Sequence, residues 1–230
     1  MNIDLHGFGP AMMAGTLMTV KLALCALLLG LALGLLGALA KTSPIKPLRW
    51  LGGTYSTLVR GVPELLWVLL IYFGTVGLMS SLGDALNMPG LELSAFTAGV
   101  IALGLCFGAY ATEVFRGAIL AIPKGHREAG LALGLSKGRI LSRIILPQMW
   151  RMALPGLGNL FMILMKDTAL VSVIGLEEIM RHAQIGVTVT KAPFTFYAVA
   201  ACIYLALTVV AMTGMHLLEK RAARGFVRAE

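Results

Sequence analysis

Long apolar runs alternate along the chain with short stretches that gather the charge, and the lengths of the runs suit membrane crossings better than a soluble core. A helix crossing about 30 Å of hydrocarbon needs roughly 20 largely apolar residues. Five segments have that length, 14–40, 55–82, 93–122, 153–174 and 194–218, the fourth carrying Lys166 and Asp167 near its end. Between the third and fourth, residues 123–151 follow another pattern: "EAGLALGLSKGRILSRIILP", from Glu128 to Pro147, is mildly basic and amphipathic. Pro123 can open a short helix there, Gly134 can end it as a C-terminal cap, and Ser136 can cap a second helix. In that second helix Ile140, Leu141, Ile144 and Ile145 share a face opposite Lys137, Arg139, Ser142 and Arg143, and Pro147 is expected to close or kink it. Such a face needs a cover, either a protein or an anionic lipid surface.

Composition points the same way, with 58% hydrophobic and 13% charged residues and a mean hydropathy of +0.85. The expectation is an all-α integral membrane protein. Cys25, Cys106 and Cys202 each lie inside an apolar run and share no close spacing, and His6, His126, His182 and His216 are scattered, so neither a disulfide framework nor a metal site is expected. The opening "MNIDLHGFGP" lacks the basic region of a cleavable signal, so the first apolar stretch is expected to remain as an anchor. Without a Pro/Ser-rich linker, a low-complexity tract or a clear repeat, residues 1–230 read as a single transmembrane domain with a core of about 14–218. Gly30 with Gly34, and Gly104 with Gly108, permit close helix approach, as is ordinary in membrane bundles.

The basic residues set an orientation. Lys41, Lys46, Arg49 and Arg60, then Lys124, Arg127, Lys137, Arg139, Arg143 and Arg151, then Lys220, Arg221, Arg224 and Arg228 all fall on one side of a five-span chain. The other side has Arg181 and Lys191. Positive residues stay in the cytoplasm, so the central loop and the C-terminus are expected inside and the N-terminus outside. The net charge of +8 then reflects topology more than a nucleic-acid partner.

Charges within the spans need a partner or a purpose. Lys21 lies near a span end and can snorkel. Glu113 and Arg116, three apart, can pair on one helix face. Glu64 follows Pro63 and can either pair with Arg60 or face a polar vestibule. Lys166 and Asp167 point about 100° apart on a helix, so one can face a partner subunit and the other a pathway. A carboxylate with the hydroxyls of Thr168 and Ser172 suits a cation, while an inter-helix ion pair is the other reading. The candidates for a substrate pathway are therefore Asp167, Thr168, Lys166, Ser172, Glu113 and Glu64.

Glu128-Ala129, then Gly134, then nine residues, then Ile144-x-Leu146-Pro147 resembles the EAA loop of bacterial ABC importer membrane subunits, departing only at Gly130, where that pattern has alanine. "RGVPELLWVLLIYFG" from Arg60, "GAYATEVFRGAILAIPKGHREA" from Gly108 and "LMKDTALVSVIG" from Leu164 resemble the polar amino-acid permease branch, most closely its histidine and arginine/ornithine members. The resemblance runs from about Ala14 to Leu218. It implies a type I (MetI-like) importer fold of five transmembrane helices in the bacterial inner membrane, with a periplasmic N-terminus and a cytoplasmic C-terminus. It also implies a second permease subunit forming a heterodimer, two ATP-binding subunits, a periplasmic substrate-binding protein and a polar, basic amino acid as substrate, among arginine, ornithine, histidine and lysine. Glu128, Ala129, Gly134, Leu135, Ile144, Leu146 and Pro147 would then couple the chain to the ATPase.

The chain has no G-x-x-x-x-G-K-[ST] string to cradle phosphates, so ATP and Mg are expected in the partner subunits, with no cofactor in this chain and no enzymatic activity of its own. An ion-coupled secondary transporter is the alternative, although such chains are usually longer, with internal repeats and centrally broken helices. A membrane enzyme would need a nucleophile and base that the sequence does not bring together.

Overall fold

In hydrocarbon each backbone N–H and C=O has to be paired within its own segment, and the chain meets that demand with helix. The computed structural model describes residues 7–86 and 93–222. His6, Arg224 and Arg228 lie outside the described residues. The helices are α1 (Gly9–Thr42), α2 (Lys46–Arg60), α3 (Glu64–Leu86), α4 (Ala95–Ala121), α5 (Lys124–Ala132), α6 (Lys137–Ile140), α7 (Leu146–Asp167), α8 (Ile179–Thr190) and α9 (Pro193–Ala222). A π turn, Leu141–Ile145, joins α6 to α7, and a 3₁₀ segment, Thr168–Ile174, follows α7.

Among the described residues, four stretches are long and apolar enough to cross a membrane: α1, α4, the continuous path Lys137–Ile174, and α9. A fifth exists if α2 and the Glu64–Gly77 part of α3 count as one span, but the two are bent by 103°. The unbroken second span expected over 55–82 is thus corrected. Pro63 lacks an N–H and disfavours helix at the residue before it, so the helix cannot run through 61–63. α2 stops with the Gly61 N–H donating to the carbonyls of Thr57 and Leu58.

Pro147 also behaves differently from expectation. It occupies the first turn of α7, where a missing N–H removes little, and the wide π turn ahead of it carries the helix onward. One helical path therefore leads from the 123–151 segment into the membrane.

The core is the crossing of α1 on α4. A Cβ at Gly30 would lie 2.5 Å from Phe107, one at Gly34 would lie 2.6 Å from the Ala111 Cβ, and one at Gly37 would lie 2.3 Å from the Thr112 hydroxyl. Backbones come this close because no side chain intervenes, as the Gly30 and Gly34 spacing suggested. Leu22, Leu103, Phe107, Phe115, Met149 and Val171 fill the space where α7 and the 3₁₀ segment join them. At the far end, Glu178 is fully buried and caps α8, accepting from the Arg181 N–H at 2.8 Å and from the Tyr204 hydroxyl at 2.9 Å. Burial pushes its carboxyl above the usual range against the pull of these donors.

Packing without free volume makes a directional prediction. Gly34→Leu should destabilise the detergent-solubilised protein by about 1–3 kcal/mol, because an overpacked helix crossing has to separate. Gly74→Ala, inside α3 at a position where an added Cβ meets nothing within 4 Å, should not lower the melting temperature, because alanine's better helix propensity adds stability where Gly34→Leu loses it to overpacking. Thermal melts read by size-exclusion chromatography check both, and equal melts for Gly34→Leu and wild type would contradict the tight crossing.

Candidate transport site and coupling loop

The bend at 61–63 turns the start of α3 toward α4 and α7. A cavity of about 160 Å³ opens there, with Glu64 from α3, Cys106 and Tyr110 from α4, and Asp167 from the end of α7 on its walls. Leu103, Phe107 and Leu160 make up much of the remainder. The Tyr110 hydroxyl donates to Glu64 Oε1 at 3.1 Å. Two carboxylates and a phenol thus meet in a largely apolar pocket, and among the described residues its lining holds no basic side chain. A larger groove, about 780 Å³, lies along α2 beside Lys46, Arg49 and Trp50, but every residue lining it belongs to that one helix.

Glu113 sits on the same helix as Tyr110 but off the cavity, in a cluster of cations. It pairs with Lys41 of α1, with Arg116 Nε at 2.9 Å and with Arg60 Nη1 at 3.9 Å. Lys41 also donates to the Ser56 hydroxyl at 2.8 Å. The expected Glu113–Arg116 pair is present, and it belongs to a knot tying α1, α2 and α4 together. The Arg60 guanidinium lies 5.3 Å over the Tyr110 ring, within cation–π range.

Of the six pathway candidates, Glu64 and Asp167 come together at the cavity and the other four do not. The Thr168 hydroxyl donates to the Met165 carbonyl and the Ser172 hydroxyl to the Ala169 carbonyl, both at 2.7 Å, so each turns back onto its own winding. Lys166 is exposed. Tyr110 lay within a stretch quoted for resemblance without being given a role. Its signal was a lone phenol inside an apolar span, one turn before Glu113. Glu178 was missed as well, and its signal was an acceptor three residues before Arg181 at a helix start.

The 123–151 segment forms a compact helix pair. α5 ends in a Schellman turn: Gly134 has φ +71°, its N–H donates to the Leu131 carbonyl, and the Leu135 N–H donates to the Gly130 carbonyl. Gly130, the departure from the EAA pattern, is buried where α5 meets the following helix, and a Cβ there would lie 2.9 Å from Ile140 and 3.0 Å from Ile144. Glycine's helix penalty of about 1 kcal/mol is thus accompanied by close packing. Glu128, Ala129 and Pro147 are exposed, whereas Leu135, Ile144 and Leu146 are half-buried. The pair is fastened to α7: His126 Nδ1 and Gln148 Oε1 are 2.8 Å apart, Gln148 Nε2 donates to the Ile144 carbonyl, and Trp150 stacks on Phe115 of α4.

A multi-span helical bundle with a buried acidic cavity and a capped helix pair fastened to one of its spans has the design of a membrane transport component. The chain matches the family described as binding-protein-dependent transport system inner membrane component over residues 26–224, and it belongs to that family. It is 44% identical over 220 residues to the arginine ABC transporter permease protein ArtQ of Escherichia coli K12, covering 90% of this chain and 92% of ArtQ. It is 41% identical over 226 residues to the histidine/lysine/arginine/ornithine transport system permease protein HisQ of Salmonella typhimurium, covering 98% of this chain and 99% of HisQ. A crystal structure of an amino acid ABC transporter with histidines superposes with a TM-score of 0.79 at 35% identity, over 96% of this chain and 100% of that one. The protein is accordingly a multi-pass permease subunit of the bacterial inner membrane and not itself an ATPase.

Proposed function

We propose that this permease carries a basic amino acid, of the arginine, ornithine, histidine and lysine class, and that the side-chain cation passes between Glu64 and Asp167. The supporting observation is that these two carboxylates line one cavity with no basic side chain on its walls among the described residues. A carboxylate in hydrocarbon is retained at a cost of a few kcal/mol, and a passing cation is the partner that offsets it through charge-assisted hydrogen bonds. The names of ArtQ and HisQ, which specify arginine and the histidine/lysine/arginine/ornithine set, support the same class.

The wider reading is a single domain over residues 1–230 with five spans, α2 and α3 together making the second. The N-terminus is periplasmic and the C-terminus cytoplasmic, as the distribution of lysine and arginine favours. A second permease subunit completes a heterodimer, two ATP-binding subunits dock beneath, and a periplasmic binding protein delivers the substrate. Glu128, Ala129, Gly134, Leu135, Ile144, Leu146 and Pro147 form the ATPase contact. Leu131 and Leu133, 50% and 79% exposed, give that contact apolar surface.

The substrate reading is tested with the complete transporter in proteoliposomes, comparing arginine with citrulline, its uncharged near-isostere. Glu64→Gln and Asp167→Asn should each raise the KM for arginine about tenfold and shrink its preference over citrulline, with the assembled complex unchanged on size exclusion. An unchanged arginine-to-citrulline ratio in both variants would rule the reading out.

Coupling is tested at Gly134. Valine tolerates φ +71° poorly, so Gly134→Val should leave insertion and assembly intact while substrate-stimulated ATP hydrolysis and uptake fall together by about tenfold or more. Wild-type stimulation in Gly134→Val and in Glu128→Lys would remove the loop from the coupling path.

A further inference from the structure

Arg60 and Glu64 stand four residues apart, the spacing at which a guanidinium and a carboxylate on one continuous helix pair with each other. The helix is interrupted between them. α2 ends at Arg60, α3 begins at Glu64, and the two axes diverge by 103°. Each charge thereby lies at the end of its own helix that favours it, the cation at a C-terminus and the anion in a first turn.

The two side chains then find different partners. Arg60 Nη1 is 3.9 Å from Glu113, and its guanidinium covers the face of the Tyr110 ring. Glu64 takes the hydroxyl of the same tyrosine. Tyr110 holds the cation on its face and the anion at its edge, and so stands between them.

We infer that Tyr110, with the break at 61–63, is a positioning and specificity-determining residue that keeps Arg60 off Glu64, leaving that carboxylate available to a cationic substrate. The inference rests on the reading of Glu64 as a substrate contact. Arg60 carries the same guanidinium group as arginine and is tethered three residues away from Glu64's backbone neighbour Pro63. A group on so short a tether has an effective concentration of millimolar or more. Released onto Glu64, it would outcompete a dilute free substrate, and the permease would be blocked by its own side chain.

The experiment uses the complete transporter in proteoliposomes and separates KM from maximal rate. Tyr110→Phe keeps the ring under Arg60 and loses the hydroxyl, so the KM for arginine should rise about threefold with the maximal rate unchanged. Tyr110→Leu removes both the ring and the hydroxyl and, among the described residues, leaves Arg60 only its 3.9 Å contact with Glu113, so the KM for arginine should rise about thirtyfold while citrulline uptake changes little. Adding Arg60→Gln to Tyr110→Leu should bring the arginine KM back to within about threefold of Arg60→Gln alone, because no internal competitor remains.

Should Arg60→Gln fail to rescue Tyr110→Leu while Glu64→Gln still abolishes the preference for arginine, the separating role is wrong and the cation site stands. Should Glu64→Gln leave that preference intact, both fall. If Tyr110→Leu does not assemble, Tyr110→Phe decides the matter, since an unchanged arginine KM in that variant overturns the inference.

Discussion

A charge held in hydrocarbon must be paired or must face something polar, and the architecture of this permease is arranged around that constraint. Glu113 answers it by pairing with Lys41, Arg60 and Arg116, which fastens α1, α2 and α4 at one level of the bundle. Glu178, outside the long apolar spans, is a second buried carboxyl met by the protein itself, with the Arg181 amide and the Tyr204 hydroxyl as donors at the start of α8. Among the described residues, no basic side chain lines the cavity that Glu64 and Asp167 share. The substrate proposal rests on this contrast: Glu113 and Glu178 are satisfied by groups of the protein, while Glu64 and Asp167 share a cavity whose lining, among the described residues, carries no cation.

Helix α7 links this cavity to the 123–151 segment. It spans 22 residues, starting beside the π turn and ending at Asp167, with Pro155 inside it, a path of about 33 Å along the helix. Gln148 and Trp150 fasten its first turns to α5 and α4. In the proposed coupling path, displacement of the loop would travel along α7, which carries Pro155 inside it, to the end that holds one of the two cavity carboxylates. The π turn at Leu141–Ile145, a winding often found at functional positions, stands where the loop joins α7.

Much of this was legible from the residues in order. Apolar run length identified α1, α4 and α9, and Pro123 and Gly134 marked the bounds of α5 through their backbone conformation, whereas Ser136 stands at the N-cap position without the expected side-chain cap bond. What escaped depended on geometry between segments. The second span looked unbroken because apolar residues continue through Gly61 and Pro63, so hydropathy concealed a bend that backbone chemistry imposes. Thr168 and Ser172 looked like substrate partners because their hydroxyls neighbour Asp167 in sequence, yet the 3₁₀ winding directs each hydroxyl to the carbonyl three residues back. Tyr110 could not be assigned because its meaning lies in standing between Arg60 and Glu64, which belong to two helices 103° apart.

The central claim, that a basic substrate occupies the space between Glu64 and Asp167, is most directly tested from the cavity wall. Ile163 lines that cavity and is 42% exposed. Ile163→Cys, in a chain with Cys25, Cys106 and Cys202 replaced by serine, is assembled into the transporter and treated with a cationic thiosulfonate. The thiol should be modified, and saturating arginine should slow the reaction about tenfold or more, whereas citrulline should have little effect. Modification at the same rate with and without arginine would contradict the account.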